Sequence, residues 1–289
     1  FRMLIDIMDK VLFKNAMRTD ENKKDFIPVG ELESTSMASL AIADGAEQHF
    51  QEVMTRYHHM QNFTVTHNAS KETFLMLQNH MKKFDKVVLS VHPQRNGNGR
   101  LKQLNPKVIN FIERLGYTSN VILTVFAQPE YLSQLNDFTH PQGIIATWGN
   151  DSLIQNKAAQ MIFGGIMPRG QLARDVDMRL TAGTGKVITR KGCRLGYASP
   201  GLVGVEADTL RHIRRLMDKA ISEKVLPGGQ IIAARGGRIF YRERFGYHTY
   251  DKKQPVQHNH LYDLASVTKV SATTLALMKQ FDQQKFELE

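Results

Sequence analysis

Ser266 and Lys269 stand three residues apart in "YDLASVTKVSATTLALMKQ", residues 262–280, a spacing that acyl transfer can use. On a helix, positions i and i+3 share a face, so the Lys269 amine reaches the Ser266 hydroxyl, and the helix N-terminus favours negative charge beside them. A serine hydroxyl is a weak nucleophile until a neighbouring base takes its proton, and a desolvated lysine amine can be that base. The chemistry expected is acylation of Ser266 assisted by Lys269. The same four residues also describe a capping serine followed by an exposed lysine, so the surrounding elements must decide.

Those elements form an ordered series. "DTLRHIRRLMDKAISEKV" has helical periodicity, with Leu210, Ile213, Met217, Ala220 and Ile221 near one face and Asp208 as the expected N-cap. Pro227-Gly228-Gly229 ends it, and "QIIAARGGRIFYRERFGYH" reads as two strands joined by the two-residue turn Gly236-Gly237. A helix, a hairpin and then the Ser-Lys pair at the start of another helix form a context that a chance pattern would lack.

Composition bounds the rest. A chain of 289 residues with 42% apolar content is long enough for two domains and for a core in each. Lys and Arg outnumber Asp and Glu by 38 to 28, net +10, but the charges scatter through Lys82, Lys83, Arg211, Arg214, Arg215, Lys252 and Lys253 without interleaved aromatics. That pattern argues for a solvated surface and against a nucleic-acid platform or an anionic membrane as partner. Cys193 is the single cysteine, so no internal disulfide forms, and a buried small residue is expected there. No apolar run approaches the roughly 18 residues of a spanning helix. The amphipathic "FRMLIDIMDKVLF" opens without Met or a signal-peptide pattern, and "LALMKQFDQQKFELE" closes inside a helical pattern. Both ends read as those of a fragment.

Strands and helices alternate through the middle. Residues 36–43, 62–68, 85–92, 120–127 and 143–149 read as strands, and residues 46–60, 70–84, a segment from Pro106, a short one near Pro129 and 151–165 read as helices. Ser70 is an expected N-cap, Val108, Phe111, Ile112 and Leu115 a buried stripe, and Gly164 and Gly165 a helix stop. Apolar strands separated by helices belong in a largely parallel sheet covered on both faces. The expected fold class is therefore α/β, a three-layer sandwich over about 34–176, followed by a separate α+β segment.

Three features that resemble sites read more simply. "RNGNGR", residues 95–100, lacks the Lys-Ser or Lys-Thr of a phosphate loop and does not open a helix, so a surface loop is expected. His58, His59 and His67 match no metal-ligand spacing and are expected at the surface. Glu72, Glu113 and Glu130 fall on helices and are expected to be solvated, so no carboxylate pair about 5 Å apart, as a retaining glycosidase requires, is legible in the sandwich. Neither a metal nor an organic cofactor is called for.

The middle of the chain nonetheless resembles a known family. "DKVVLSVH", "VILTVFAQPEYLSQL" and "GIIATWGNDSLIQNKAAQMIFGGIMPRGQL", with "VLFKNAMRTDENKKDFIPVGELESTSMASLAIAD" before them, look like the second domain of glycoside hydrolase family 3 and the strand that leads into it. The family's Gly-Arg-Leu-Pro turn reads Gly170-Gln171-Leu172-Ala173 here. The resemblance implies a β-N-acetylhexosaminidase or β-glucosidase whose Asp nucleophile belongs to an N-terminal barrel outside this chain, so the sandwich by itself is not expected to cleave a glycoside.

The last part carries a second resemblance. "GGQIIAARGGRIFYRERFGYHTYDKKQPVQHNHLYDLASVTKV" closely resembles the class C β-lactamase and penicillin-binding serine hydrolases, which implies Ser266 as nucleophile and Lys269 as its partner. The family's Tyr-x-Asn or Ser-x-Asn element and its Lys-Thr-Gly or His-x-Gly strand are expected further along, beyond this chain. The resulting division is a connector at 1–33, the family 3 sandwich at 34–180, a linker at 181–203, and the N-terminal part of a serine hydrolase domain at 204–289. Together the two resemblances imply a slice of a bifunctional hydrolase, acting in the periplasm or cell envelope on a carbohydrate or peptidoglycan-derived substrate. The missing barrel and hydrolase remainder would be its partners within one chain. Two alternatives stand beside it: a non-catalytic carbohydrate-binding module with a vestigial hydrolase part, and an esterase or peptidase in place of a lactamase.

Overall fold

A computed structural model describes residues 11–15, for which the backbone alone is considered, and 27–45, 49–137, 139–188 and 194–287. Cys193 and the amphipathic opening residues 1–10 lie outside the described residues. The chain divides into two compact units. One runs to Gly204 and includes Ala234–Phe240, and the other comprises Val205–Ala233 and Tyr241–Glu289.

The first unit is built on a six-stranded sheet of β1 (Val11–Asn15), β2 (Met37–Ile42), β3 (Gln61–Val65), β4 (Lys86–Val91), β5 (Val121–Val125) and β6 (Gly143–Thr147). Their spatial order is β1-β6-β5-β4-β2-β3. Five of the strands are parallel, and β1 closes one edge antiparallel to β6. The helices are α1 (His49–Thr55), α2 (Lys71–Met81), α3 (Pro106–Thr118) and α4 (Ser152–Ile162).

Side-chain alternation along the strands produces two cores. Leu40, Leu89, Leu123 and Ile144 lie in one register row across β2, β4, β5 and β6, and their face packs on Phe74 and Met81 of α2 and Val108, Phe111 and Leu115 of α3. Val88 and Ile122, one position away, point to the opposite face. That face meets Phe50, Val53 and Met54 of α1 and Ile154, Ala158 and Ile162 of α4. With both faces covered, the central strands are apolar at nearly every position, the mark of a buried parallel sheet.

Local signals set the helix starts. Ser70 accepts from the Thr73 amide at 3.2 Å, Asn105 from the Lys107 amide at 2.9 Å before Pro106, and Asp151 from the Leu153 and Ile154 amides, each at 3.0 Å. At the end of α4, Gly164 adopts φ 75, the left-handed stop that glycine allows.

Several elements differ from expectation. The helix expected over 46–60 ends at Thr55, and its first three positions lie outside the described residues. Past Thr55 the backbone tightens, with the Arg56 and Tyr57 amides bonded three residues back, and the Tyr57 ring stacks on Phe163. Strand β3 stops at Val65 because the His67 amide turns to Asp44 Oδ1 at 3.2 Å. It is an exposed edge strand, unlike its apolar neighbours. The segment at Pro129–Gln134 is a 3-10 helix. Residues 181–188 fold back on 168–172: the Gly183 amide donates to Leu172 O and the Ile188 amide to Pro168 O, and Ile188 is buried.

Candidate functional site

The second unit carries the Ser-Lys pair. Helix α5 (Ala207–Ser222) precedes strands β8 (Gly228–Arg235) and β9 (Arg238–Gly246). Leu210, Ile213, Met217, Ala220 and Ile221 are the less exposed residues of α5, as its periodicity predicts. The Met217 methyl lies 3.7 Å from where a Cβ on Gly229 would stand, and Arg214 pairs with Glu243 at 2.8 Å while its guanidinium covers the Phe245 ring. Asp208 is not the N-cap: Glu206 holds that position without a side-chain bond, and Asp208 sits in the first turn paired with Arg211 at 3.0 Å. The turn between the strands runs through Gly236 and Gly237, at φ 58 and 75.

Closure of this unit depends on Gly228. A Cβ there would meet Phe245 O, Tyr247 N and Tyr247 O, each at 2.5 Å, so only glycine lets the two backbones approach. From Tyr247 the chain bonds to itself: the His248 amide donates to Gln254 O at 2.9 Å, Val256 to Gly246 O at 3.1 Å, and Gln257 to His260 Nδ1 at 3.1 Å. Phe245 and Val256 are buried, whereas Leu261, Leu264, Val267, Val270, Leu275, Leu277 and Phe281 are exposed.

This loop delivers Ser266. Asp263 Oδ1 accepts from the Ala265 amide at 2.8 Å, and Ala265 adopts φ 42, in the left-handed region that residues with a Cβ rarely occupy. Ser266 stands on the turn that follows. Lys269 begins a wide π-type turn, Lys269–Thr273, which passes into α6 (Thr274–Asp282). Lys269 Nζ donates to Ser266 Oγ at 2.9 Å. The two expected site residues are therefore in direct contact at a helix N-terminus, and both are exposed. Chemically the pair holds a hydroxyl next to an amine, the parts that a base-assisted acylation uses. Sequence reasoning did not mark Ala265 or Asp263. No glycine signals the left-handed residue, and the Asp263 bond forms only once the loop is folded.

In the first unit the other candidates resolve differently. Residues 95–101 form a small closed loop in which the Asn96 amide donates to Arg100 O and the Gly99 amide to Asn96 O, each at 2.9 Å. These amides are spent internally and do not present a phosphate cradle. His59 is exposed and His58 half-buried, but His67 is buried, against expectation. Its Nε2 donates to His92 O at 2.9 Å. His92 in turn bonds Asn150 Oδ1 at 2.8 Å and Ser90 Oγ at 3.2 Å. Burial drives the His92 pKa down to about 4, with the nearby His67 adding to the effect and the Asn150 bond opposing it. This network seals the C-terminal ends of β3, β4 and β6. Among the described residues no group of three or more His, Cys, Asp or Glu side chains forms a metal site, and no described helix is long and apolar enough to cross a membrane.

The three glutamates also separate. Glu72 is exposed. Glu113 and Glu130 are half-buried, a departure from the solvated state expected of them. Glu113 Oε1 accepts from the Asn136 and Asp137 amides at 2.7 and 3.1 Å, and Glu130 pairs with Arg174 at 3.1 Å. They hold loops in place.

The Beta-lactamase family model matches residues 211–289. A penicillin-binding protein of Bacillus subtilis (strain 168) is 37% identical over 59 residues, 20% of this chain and 13% of that protein. Among solved structures, a glycoside hydrolase family 3 beta-N-acetylglucosaminidase from Paenibacillus sp. str. FPU-7 aligns with TM-score 0.44 and 11% identity, over 63% of this chain and 32% of that one. A beta-D-glucoside glucohydrolase from Trichoderma reesei aligns with TM-score 0.38 and 10% identity, over 64% and 31%. The chain thus spans a third or less of the length of each of these relatives. The molecule joins an α/β sandwich to a segment, residues 211–289, that matches the Beta-lactamase family model.

Proposed function

We propose that this chain is part of a hydrolase in which Ser266 is the acyl-accepting nucleophile and Lys269 its base, and whose sandwich is the second domain of a family 3 glycosidase. The observation that carries the reading is the 2.9 Å bond between Lys269 Nζ and Ser266 Oγ inside the segment matched by the Beta-lactamase model. In the acylation step the Lys269 amine takes the Ser266 proton as Oγ attacks the acyl carbon. The bond from that carbon to the leaving amine or alkoxide breaks, and the proton passes from Lys269 to the leaving atom. Water then hydrolyses the acyl-serine, releasing the acid and restoring Ser266.

The exposed apolar residues around the pair, Leu264, Val267, Val270 and Leu275 among them, support a serine hydrolase domain whose remaining strands pack here. On the family 3 reading, the glycosidase nucleophile belongs to a barrel that precedes the sandwich. The substrate class we favour is an amino-sugar polymer or its peptidoglycan-derived pieces, with the glycosidase of β-N-acetylhexosaminidase or β-glucosidase type, in the periplasm or envelope.

The test begins with the coding sequence on either side of residues 1–289 and continues with the protein it encodes. That protein, incubated with a labelled penicillin, should carry one adduct that peptide mapping places on Ser266, and should release nitrophenol from a p-nitrophenyl N-acetyl-β-glucosaminide. An adduct that persists after Ser266→Ala refutes the serine assignment, and flanking sequence without a barrel refutes the glycosidase one.

A further inference from the structure

Lys157 lies on α4 with a relative exposure of 5%, yet among the described residues no carboxylate pairs with it and no acceptor takes its amine protons. A buried ammonium without a counter-charge is costly, and native folds usually avoid it. Its buried polar neighbours on the same helix are all accounted for. Gln155 accepts from the Phe50 amide at 2.9 Å, and Gln160 holds both backbone groups of Tyr197, accepting from its N–H at 2.7 Å and donating to its carbonyl at 3.1 Å.

A second cation stands on the ladder that α4 grips. Gln160 stands three residues beyond Lys157, on the same face of α4, and the tyrosine it grips belongs to β7 (Gly196–Tyr197). Strand β7 runs parallel to β9 in the register Gly196↔Arg238 and Tyr197↔Ile239, locked by the Gly196 amide on Gly237 O at 3.0 Å. Arg238 is thereby held beside α4 within the same compact unit. Among the described residues it too lacks a carboxylate partner. Burial lowers the Lys157 pKa, and the charge that adds to this is that of Arg238. The fold thus holds an ammonium and a planar guanidinium fork in one compact unit with neither neutralised, and that donor set matches the oxygens of a phosphate or carboxylate.

We propose that Lys157 and Arg238 form a binding site for a small oxyanion, a phosphate or carboxylate group, where α4 meets the β7–β9 ladder. The site is separate from Ser266 and Lys269 and stands whether or not the acyl-transfer reading does.

Titration calorimetry on the 289-residue chain, in low-salt buffer free of polyvalent anions, tests it with inorganic phosphate and with acetate. Saturable one-to-one binding of either probe is expected. Phosphate alone points to a phosphorylated ligand, and acetate at similar affinity points to a carboxylate one. Lys157→Met and Arg238→Gln should each weaken binding at least tenfold, with Trp148 fluorescence showing that the sandwich remains folded. If Lys157→Met fails to fold, Arg238→Gln alone carries the comparison, joined by NMR titration of the wild-type lysine ε signals, where phosphate should raise the Lys157 pKa. No saturable heat in the wild type, or affinity unchanged in the folded variants, overturns the proposal.

Discussion

Lys269 Nζ reaches Ser266 Oγ at 2.9 Å because the serine stands on the turn before a helix and the lysine in its first turn. Three intervening peptide units bring the two groups together without any long-range contact. Spacing alone therefore sets the pair, while the left-handed Ala265 and its Asp263 bond set the direction in which the serine enters the helix.

In the protein that contains the whole hydrolase domain, Ser266→Ala should abolish covalent labelling by penicillin. Lys269→Ala should slow acylation by about 10²–10⁴-fold, the usual contribution of a positioned base. Intact-mass kinetics check both. Equal labelling rates in wild type and Lys269→Ala would remove the lysine from the mechanism.

Stability of the sandwich should fall on acidification through His92. Burial lowers its pKa from the ordinary 6.5 to about 4, so the unfolded chain takes up the proton first. The stabilisation is complete above about pH 6.5 and is lost as pH falls toward 4, reaching on the order of 3 kcal/mol. Denaturation followed by Trp148, the single tryptophan, which packs against the sandwich core, should show the midpoint dropping across this window. The drop should be smaller in His92→Asn.

Lys157→Met should stabilise the sandwich at neutral pH in buffer without polyvalent anions. The folded pKa of Lys157 lies below its ordinary 10.5, so the unfolded state binds more protons and wild-type stability rises as pH climbs toward that value. The gain from Met should therefore shrink at alkaline pH. A variant less stable than wild type at pH 7 would contradict this account of the site.

Gly228→Ala should cost roughly 3 kcal/mol or more, within the range of severe backbone clashes, because the new methyl would meet three backbone atoms of Phe245 and Tyr247 at 2.5 Å. Hydrogen exchange of amides in β8 and β9 should accelerate, while those of β4 and β5 stay protected.

Much of the sandwich was legible in the chain. Its apolar runs at 37–42, 87–91, 121–125 and 143–147 are buried at every position, and such runs between amphipathic segments leave few alternatives to a covered parallel sheet. Ser70, Asn105-Pro106 and Gly164 mark helix ends through bonds or dihedral angles confined to a few residues, so local sequence reports them faithfully. The Ser266–Lys269 pair belongs to the same class.

What the tertiary structure decided involves residues far apart in the chain. The order β1-β6-β5-β4-β2-β3 depends on which strands pair. That pairing turns His67 and His92 inward as bonded partners across 25 positions, where residue type alone pointed His67 to the surface. Gln160 finds Tyr197 across 37 positions, and the β7–β9 register sets Arg238 beside Gly196. Local spacing brought Ser266 and Lys269 together. Long-range pairing set which charges are buried, since burial is a property of the assembled layers and not of any residue type.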